Sequence, residues 1–349
     1  MAHPQPPPED EQATPLPPAE ERRREQHFWV RAALLAALGV VVVALLGSAL
    51  LSISHAPTPH HVPIGYVGDD TTLAALKSQA GTALTVTTYD SRDDAVAAIG
   101  SFDEYGALIV TSTGVELLKS TASSPQVAST LTTLVTKAFT SVTPTVTDVT
   151  ALPSGDSAGG GIGIMLQVVV LGGTIGSMGL GQLVPRYRAN WARGELPLLF
   201  LILYALCIGC GVMGLARGFG VGDHVHWAKL TLCLALINLA CTASISAMIS
   251  IIGQAGAAIG GILYFLLGAP ISGASTALVL MPVFWKDFGQ ALPPGAGATL
   301  LRRVLYFPEA SLQHPLWTLG LYAGIGLLVL GAVNLAAGAH RRNSLTNLP

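Results

Sequence analysis

Charge is scarce in this chain. Asp, Glu, Lys and Arg make up 11% of its 349 residues, less than half of the roughly 25% found in a soluble domain. Five of them are lysines, and none follows the glycines of a G-x-x-x-x-G-K-[ST] loop, which excludes ATP binding through such a loop. The formal net charge is −2, so no basic face is available for a nucleic acid. Cysteine is also scarce. Cys207, Cys210, Cys233 and Cys241 all lie in apolar runs, which leaves the one sizeable polar stretch without a disulfide framework. Beyond the first apolar run, no Asp, Glu, Lys or Arg lies deep in any other, although proton- and ion-coupled carriers usually need such groups there. Gln167, Gln182, Asn238 and Asn334 are polar but do not titrate. No residue pattern calls for a resident cofactor or metal.

What is abundant is apolar. Hydrophobic residues reach 51% and mean hydropathy is +0.56, the composition of an integral membrane protein. Residues 1–18 are rich in Pro and Glu without apolar periodicity and read as a disordered cytoplasmic tail. Residues 19–31, charged and ending in Phe28 and Trp29, suit a short interfacial helix. The apolar run 30–53 follows, long enough to cross a core of ~30 Å. A cleaved signal peptide would have an apolar region of only about 7–15 residues, so an uncleaved anchor fits better. Residues 54–161 form an acidic segment with ten acids against four bases. Its apolar pattern predicts strands at 64–67, 84–89, 106–110 and 145–149 and helices at 71–79, 92–99 and 129–139, with Ser91 and Asp94 as a capping box. That alternation predicts a small parallel or mixed α/β sheet.

Residues 162–342 carry five more apolar runs: 162–184, 196–215, 230–252, a shorter one at 255–271, and 316–339. With the first run this predicts six crossings. A tail at 343–349 ends the chain. Gly172-x-x-x-Gly176 and Gly256-x-x-x-Gly260 are spacings that let helix backbones approach closely. Nine arginines lie before or at the start of the first run, between the second and third, or at the end of the chain; the opposite short segments hold five bases. The bias predicts cytoplasmic termini and an extracytoplasmic α/β domain at the plasma membrane.

Three motifs suggest chemistry and carry little of it. Residues 155–159 match G-x-S-x-G, the nucleophile elbow of α/β-hydrolases, but Ser157 lies in a polar linker with no following His in the same soluble fold. Cys207-x-x-Cys210 resembles a redox pair, yet sits in an apolar helix where packing is the simpler role. Asp223, His224 and His226, beside Trp227, give too few ligands for a closed metal site, and His60-His61 gives fewer. An enzyme is not expected.

The stretch from 268 to 307 is unlike the other runs. Pro270 breaks an apolar helix, Pro282 breaks the next apolar piece, and Pro293-Pro294-Gly295 is expected to turn the chain before a helix with Arg302 and Arg303. Gly- and Pro-broken backbone at membrane depth must be buried in protein or line a cavity. Residues 270–307 are therefore expected to form a re-entrant segment before the last helix. Pro270, Pro282, Trp285, Pro293, Pro294, Arg302 and Arg303 are its candidate gate residues, with Lys286, Arg302 and Arg303 at the outer headgroup level.

The order of one helix, a large outer domain, five helices and a broken segment before the last resembles the ABC-2 type permease superfamily, closest to its phage-infection-protein-like branch. VPIGYVGDD at 62–70, DSRDDAVAAI at 90–99, YGALIV at 105–110 and the broken segment carry the similarity, which spans about residues 28–342. The resemblance implies a permease subunit that dimerises and exports an amphipathic or lipid-like compound with energy from a separate ATP-binding subunit. It also implies that the region around 185–195 is a cytoplasmic element that docks this ATPase, through Arg186, Tyr187, Arg188, Trp191 and Arg193. Those side chains equally suit a positive-inside anchor at the headgroups. The alternative function is a non-transporting scaffold or receptor whose outer domain binds an envelope component.

Overall fold

The computed structural model describes residues 18–54, 59, 61–112, 114–139, 142–187 and 196–346. The expected tail before residue 18 and most of the 185–195 loop lie outside the described residues. The chain divides into two compact units, Met1–Ser48 and Ala49–Pro349. The first consists of most of α1 (Pro18–Ser54). The segments anticipated as an interfacial helix and a crossing form one unbroken helix, because Arg31-Ala32-Ala33-Leu34 offers strong helix formers and no breaker. Its apolar side chains, such as Phe28, Leu34, Val40 and Leu45, are exposed.

In the second unit, five strands make one mixed sheet in the order β2-β1-β3-β4-β5. They are β1 (Val62–Val67), β2 (Leu84–Thr88), β3 (Gly106–Thr111), β4 (Gly114–Lys119) and β5 (Thr145–Asp148). β1 runs parallel to β2 and β3, β3 pairs antiparallel with β4, and β4 pairs parallel with β5. The period of two sorts the side chains. Ala107, Ile109 and Leu118 meet Ala95 and Ile99 of α3 (Arg92–Gly100) on one face. Leu108, Val115, Leu117, Ile64 and Tyr66 face the other, with α2 (Asp70–Ala80) and α4 (Pro125–Ala138). Side-chain caps start all three helices: Asp69, Ser91 and Ser124 accept from the backbone N–H groups of Thr72, Asp94 and Val127. β4 was not anticipated, since Glu116 and Lys119 dilute its apolar signal; Glu116 instead pairs with Arg92 at 2.9 Å, the one ion pair among the described residues.

The helices that follow are α5 (Gly161–Tyr187), α6 (Leu196–Gly218), α7 (Trp227–Ile252), α8 (Gln254–Gly260), α9 (Val283–Ala291), α10 (Pro293–Tyr306) and α11 (Gln313–Thr346). α1, α5, α6, α7 and α11 each hold a span long and apolar enough to cross a membrane; 254–268 is a shorter apolar helix, π-helical from Gly261. α7 is the hub and packs against α5, α6, α8, α10 and α11.

Small residues and shared polar groups join these helices, as expected where lipid gives no hydrophobic drive for association. Asn238 donates to the Val169 carbonyl at 2.8 Å and Ser177 to that of Thr242 at 3.0 Å, tying α5 to α7. Tyr204 of α6 donates to Gly172 of α5 at 2.7 Å. A Cβ on Gly176 would lie 2.4 Å from the Tyr204 ring, whereas one on Gly179 would meet nothing within 4 Å. Gly176→Leu should therefore cost about 1–3 kcal/mol by overpacking, and Gly179→Leu should be near neutral. Heat unfolding of the two variants in mild detergent measures the contrast.

Candidate functional site

After α8 the backbone loses regularity. A π-helical stretch, Gly261–Gly268, gives way to a 3-10 turn at Pro270–Ser272. Gly273 then takes the left-handed conformation at φ 83°, and a second 3-10 turn forms at Leu278–Leu280. Pro282 caps α9 without a side-chain hydrogen bond. Pro293 and Pro294 do not make a turn as anticipated. They open α10, where missing N–H groups cost nothing and φ near −65° is already helical. The reversal falls on the single extended residue Leu292.

α9 and α10 make a helical hairpin of unusual closeness. A Cβ on Gly289 would lie 2.2 Å from the Ile271 carbonyl oxygen, and one on Gly295 2.0 Å from that of Gly289. No larger residue fits at either position. A Cβ on Gly297 would meet Ile237, about ten residues into α7, whereas Leu305 lies beside Gly222 and Leu230 near the start of α7. The hairpin thus inserts among the helices and returns to the end it came from.

The sheet domain stands at that same end. Phe307 packs against Phe102 with ring centres 4.7 Å apart and planes tilted by 40°, and the Arg303 guanidinium lies 5.7 Å from the Phe102 centre. Arg303 also donates to the Ser311 carbonyl. Asp156 accepts from the Gly161 N–H at 3.0 Å, capping α5, and from the Tyr306 hydroxyl at 3.1 Å. The segment between the two 3-10 turns goes further. Ala277, Val279 and Leu280 are buried in the sheet domain's own core with Val62, Leu108, Val127 and Leu131. The apolar run at 278–281 was visible in the sequence, but nothing local says that its partner is a sheet two hundred residues earlier.

Several carbonyls of the broken backbone are met by named donors. Ser272 Oγ donates to the Ala269 carbonyl at 2.6 Å, and Gln290 Nε2 to that of Ser272 at 2.9 Å. Thr299 holds Gln290 in place through a 2.7 Å bond to its Oε1. Arg302 donates from Nη1 to the Gly273 carbonyl at 2.9 Å and from Nη2 to that of Ala274 at 3.0 Å. Its Nε has no partner, and no carboxylate pairs with it among the described residues. Arg302, expected at the outer headgroup level, is 8% exposed and buried against the loop. Its planar fork reaches two neighbouring carbonyls at once, which a point-charge ammonium does less well.

The other anticipated residues separate into different roles. Trp285 is half-buried and meets Phe284 and Phe288 edge-on at 4.9 and 6.3 Å. Lys286 is exposed in the first turns of α9. Arg186 and Tyr187 end the α5 backbone, while their side chains and all of Arg188, Trp191 and Arg193 lie outside the described residues. Ser157 is exposed, and neighbouring Asp156 serves as a helix cap. His224 bonds the Leu305 carbonyl and His226 caps α7. His61 is exposed, and His60 lies outside the described residues. Cys207 and Cys210 are exposed on α6. Among the described residues, no group of three His, Cys, Asp or Glu is placed to hold a metal ion. In the sheet domain, burial raises the Glu104 carboxyl above the usual range, and burial together with Glu104 pushes Tyr89 up to about 12.

Compared with known protein families, curated proteins and solved structures, the chain matches none.

Removing the fork should loosen the segment it holds. Arg302→Ala leaves two buried carbonyls without charge-assisted donors and should lower stability by about 2–3 kcal/mol. Arg302→Lys should fall between that variant and the parent. Heat unfolding of both in detergent checks the order.

Proposed function

We propose that the chain is the membrane-spanning permease subunit of an ABC-2 type exporter that moves an amphipathic or lipid-like compound, driven by a separate ATPase. The observation that carries this reading is the α9–α10 hairpin with its glycine contacts and Arg302 fork. Irregular backbone persists at membrane depth where it is buried or lines a pathway, and this segment is specified down to single carbonyls. Of Asp, Glu, Lys and Arg, the spans of α5, α6, α7 and α11 hold two residues, both near helix ends: Arg217 in the last turn of α6 and Lys229 in the first of α7. That scarcity suits a mover whose energy enters from another subunit.

In this reading the chain crosses six times, with 254–268 and its continuation as the short fifth crossing and 270–307 as the re-entrant segment. The sheet domain is extracytoplasmic and both termini are cytoplasmic at the plasma membrane. The α5–α6 link, with Arg186, Arg188 and Arg193, follows the end of α5 opposite the sheet domain, as the positive-inside rule requires. The permease acts as a homodimer or pseudo-dimer, and the α5–α6 link meets the ATPase. The interlock of residues 277–280 with the sheet core favours a second reading, a scaffold whose outer domain reports binding to the membrane helices.

Isolation of the full chain from its own membranes in mild detergent, with identification of bound proteins, tests the choice. The permease reading expects an ATP-binding subunit to be retained. Tyr187→Ala with Trp191→Ala, at unchanged expression, should reduce that retention about tenfold, as loss of aromatic anchors does. Recovery without an ATPase leaves the scaffold.

A further inference from the structure

The sheet topology leaves a gap. α2 contacts β2 and α4 contacts β4 on the same face, with β1 and β3 between them. Three strand spacings separate the two helices by about 14 Å, while helices in contact lie about 8–10 Å apart. The difference is a trough floored by the central strands, with room for one extended chain. Residues 277–280 close one end: Leu280 sits among Val62, Leu84, Val127 and Leu131. The rest is a cavity of about 330 Å³.

Ile64 and Leu108 make the floor, Leu76 one wall, and Leu131 and Val135 the other. The one charged side chain on the lining is Lys137, exposed in the last turn of α4. An apolar cavity of this kind is not filled by water, which finds no partners there, and an empty one forfeits dispersion contacts along its walls. The size falls at the lower end of the range for small-molecule sites, roughly 300–1,000 Å³.

We infer that this trough binds a single-chain amphiphile, with one aliphatic chain laid along β1 and β3 and an anionic head group, carboxylate or phosphate, held by Lys137. Shape selects one chain over two, and the lone cation selects the head group. The site belongs to the sheet domain and stands whether or not the chain exports anything. Leu84, Leu131 and Leu134 line the cavity and also surround Leu280, so an occupant rests on side chains that touch the segment leading into α9.

The full chain in phosphatidylcholine vesicles, exposed to photoactivatable probes of one chain length, tests this directly. The probes are a fatty acid, a lysophosphatidate and an uncharged alcohol, each carrying a diazirine near the chain end, and adducts are mapped by peptide sequencing. Adducts are expected in the sheet domain on peptides from α4 and from α2 to β2, beyond those on lipid-facing α6. Ala138→Trp, which plugs the lining, should cut the sheet-domain adducts at least about fivefold while leaving those on α6 unchanged. Lys137→Glu, an exposed change that leaves the core intact, should weaken the anionic probes and spare the alcohol. Strong labelling by the fatty acid assigns a carboxylate head, and labelling by the lysophosphatidate alone assigns a phosphate. Absence of sheet-domain adducts in the parent overturns the site. Anionic labelling unaffected by Lys137→Glu overturns the head-group assignment.

Discussion

Fourteen residues of broken backbone, 268–281, lie between helices that are apolar by composition, and each carbonyl there needs a donor supplied by the protein. That requirement fixes the structure around it. Ser272, Gln290 and Arg302 supply the side-chain donors, and the 3-10 turns supply their own. Gln290 and Arg302 stand on α9 and α10, so the hairpin must be inserted for the loop to be satisfied. The hairpin can insert only because Gly289 and Gly295 let backbone touch backbone. A buried arginine without a carboxylate would ordinarily be costly; two aligned carbonyls and the neighbouring Tyr105 and Tyr306 rings give it a polar setting.

The same segment joins the two halves of the larger unit. Its residues 277–280 are core residues of the sheet domain, while residues 270–274 are held by the helices. Phe102 against Phe307 and Asp156 against Tyr306 add two further ties at that end. The sheet domain is therefore not a module on a flexible stalk. Any change in how its core is filled is felt by the residues immediately before α9, which gives binding at the sheet a physical route to the helices.

The sequence made some of this legible and hid the rest for definite reasons. Spans in α5, α6, α7 and α11 follow from length and apolarity alone. Four strands, and the start of α3 at Ser91, follow from apolar patterning and capping, which are local. The breaks at Pro270 and Pro282 were legible for the same reason. β4 was hidden because Glu116 and Lys119 dilute its apolar signal, and Arg92, the partner of Glu116, stands 24 residues earlier in the chain. Pro293-Pro294 was misjudged because proline suits a turn and a first helical turn equally, and only the partner at Gly289 decides. The fork of Arg302 was hidden, since its two acceptors are carbonyls about thirty residues upstream. The trough between α2 and α4 is a product of strand order, which no window of sequence contains.

The central claim is that the chain between Ala269 and Phe307 enters and leaves the helices at the end that bears the sheet domain. Cysteine accessibility tests it most directly. Single cysteines at Ser275, Lys286 and Glu309, all exposed, would be placed in a chain whose four native cysteines are replaced. A membrane-impermeant maleimide applied to intact cells and to inverted vesicles then reports the side of each. The account predicts that all three label from the same side as a fourth cysteine in the sheet domain, at exposed Thr133. Labelling of Lys286 or Glu309 from the side opposite Thr133 would contradict it.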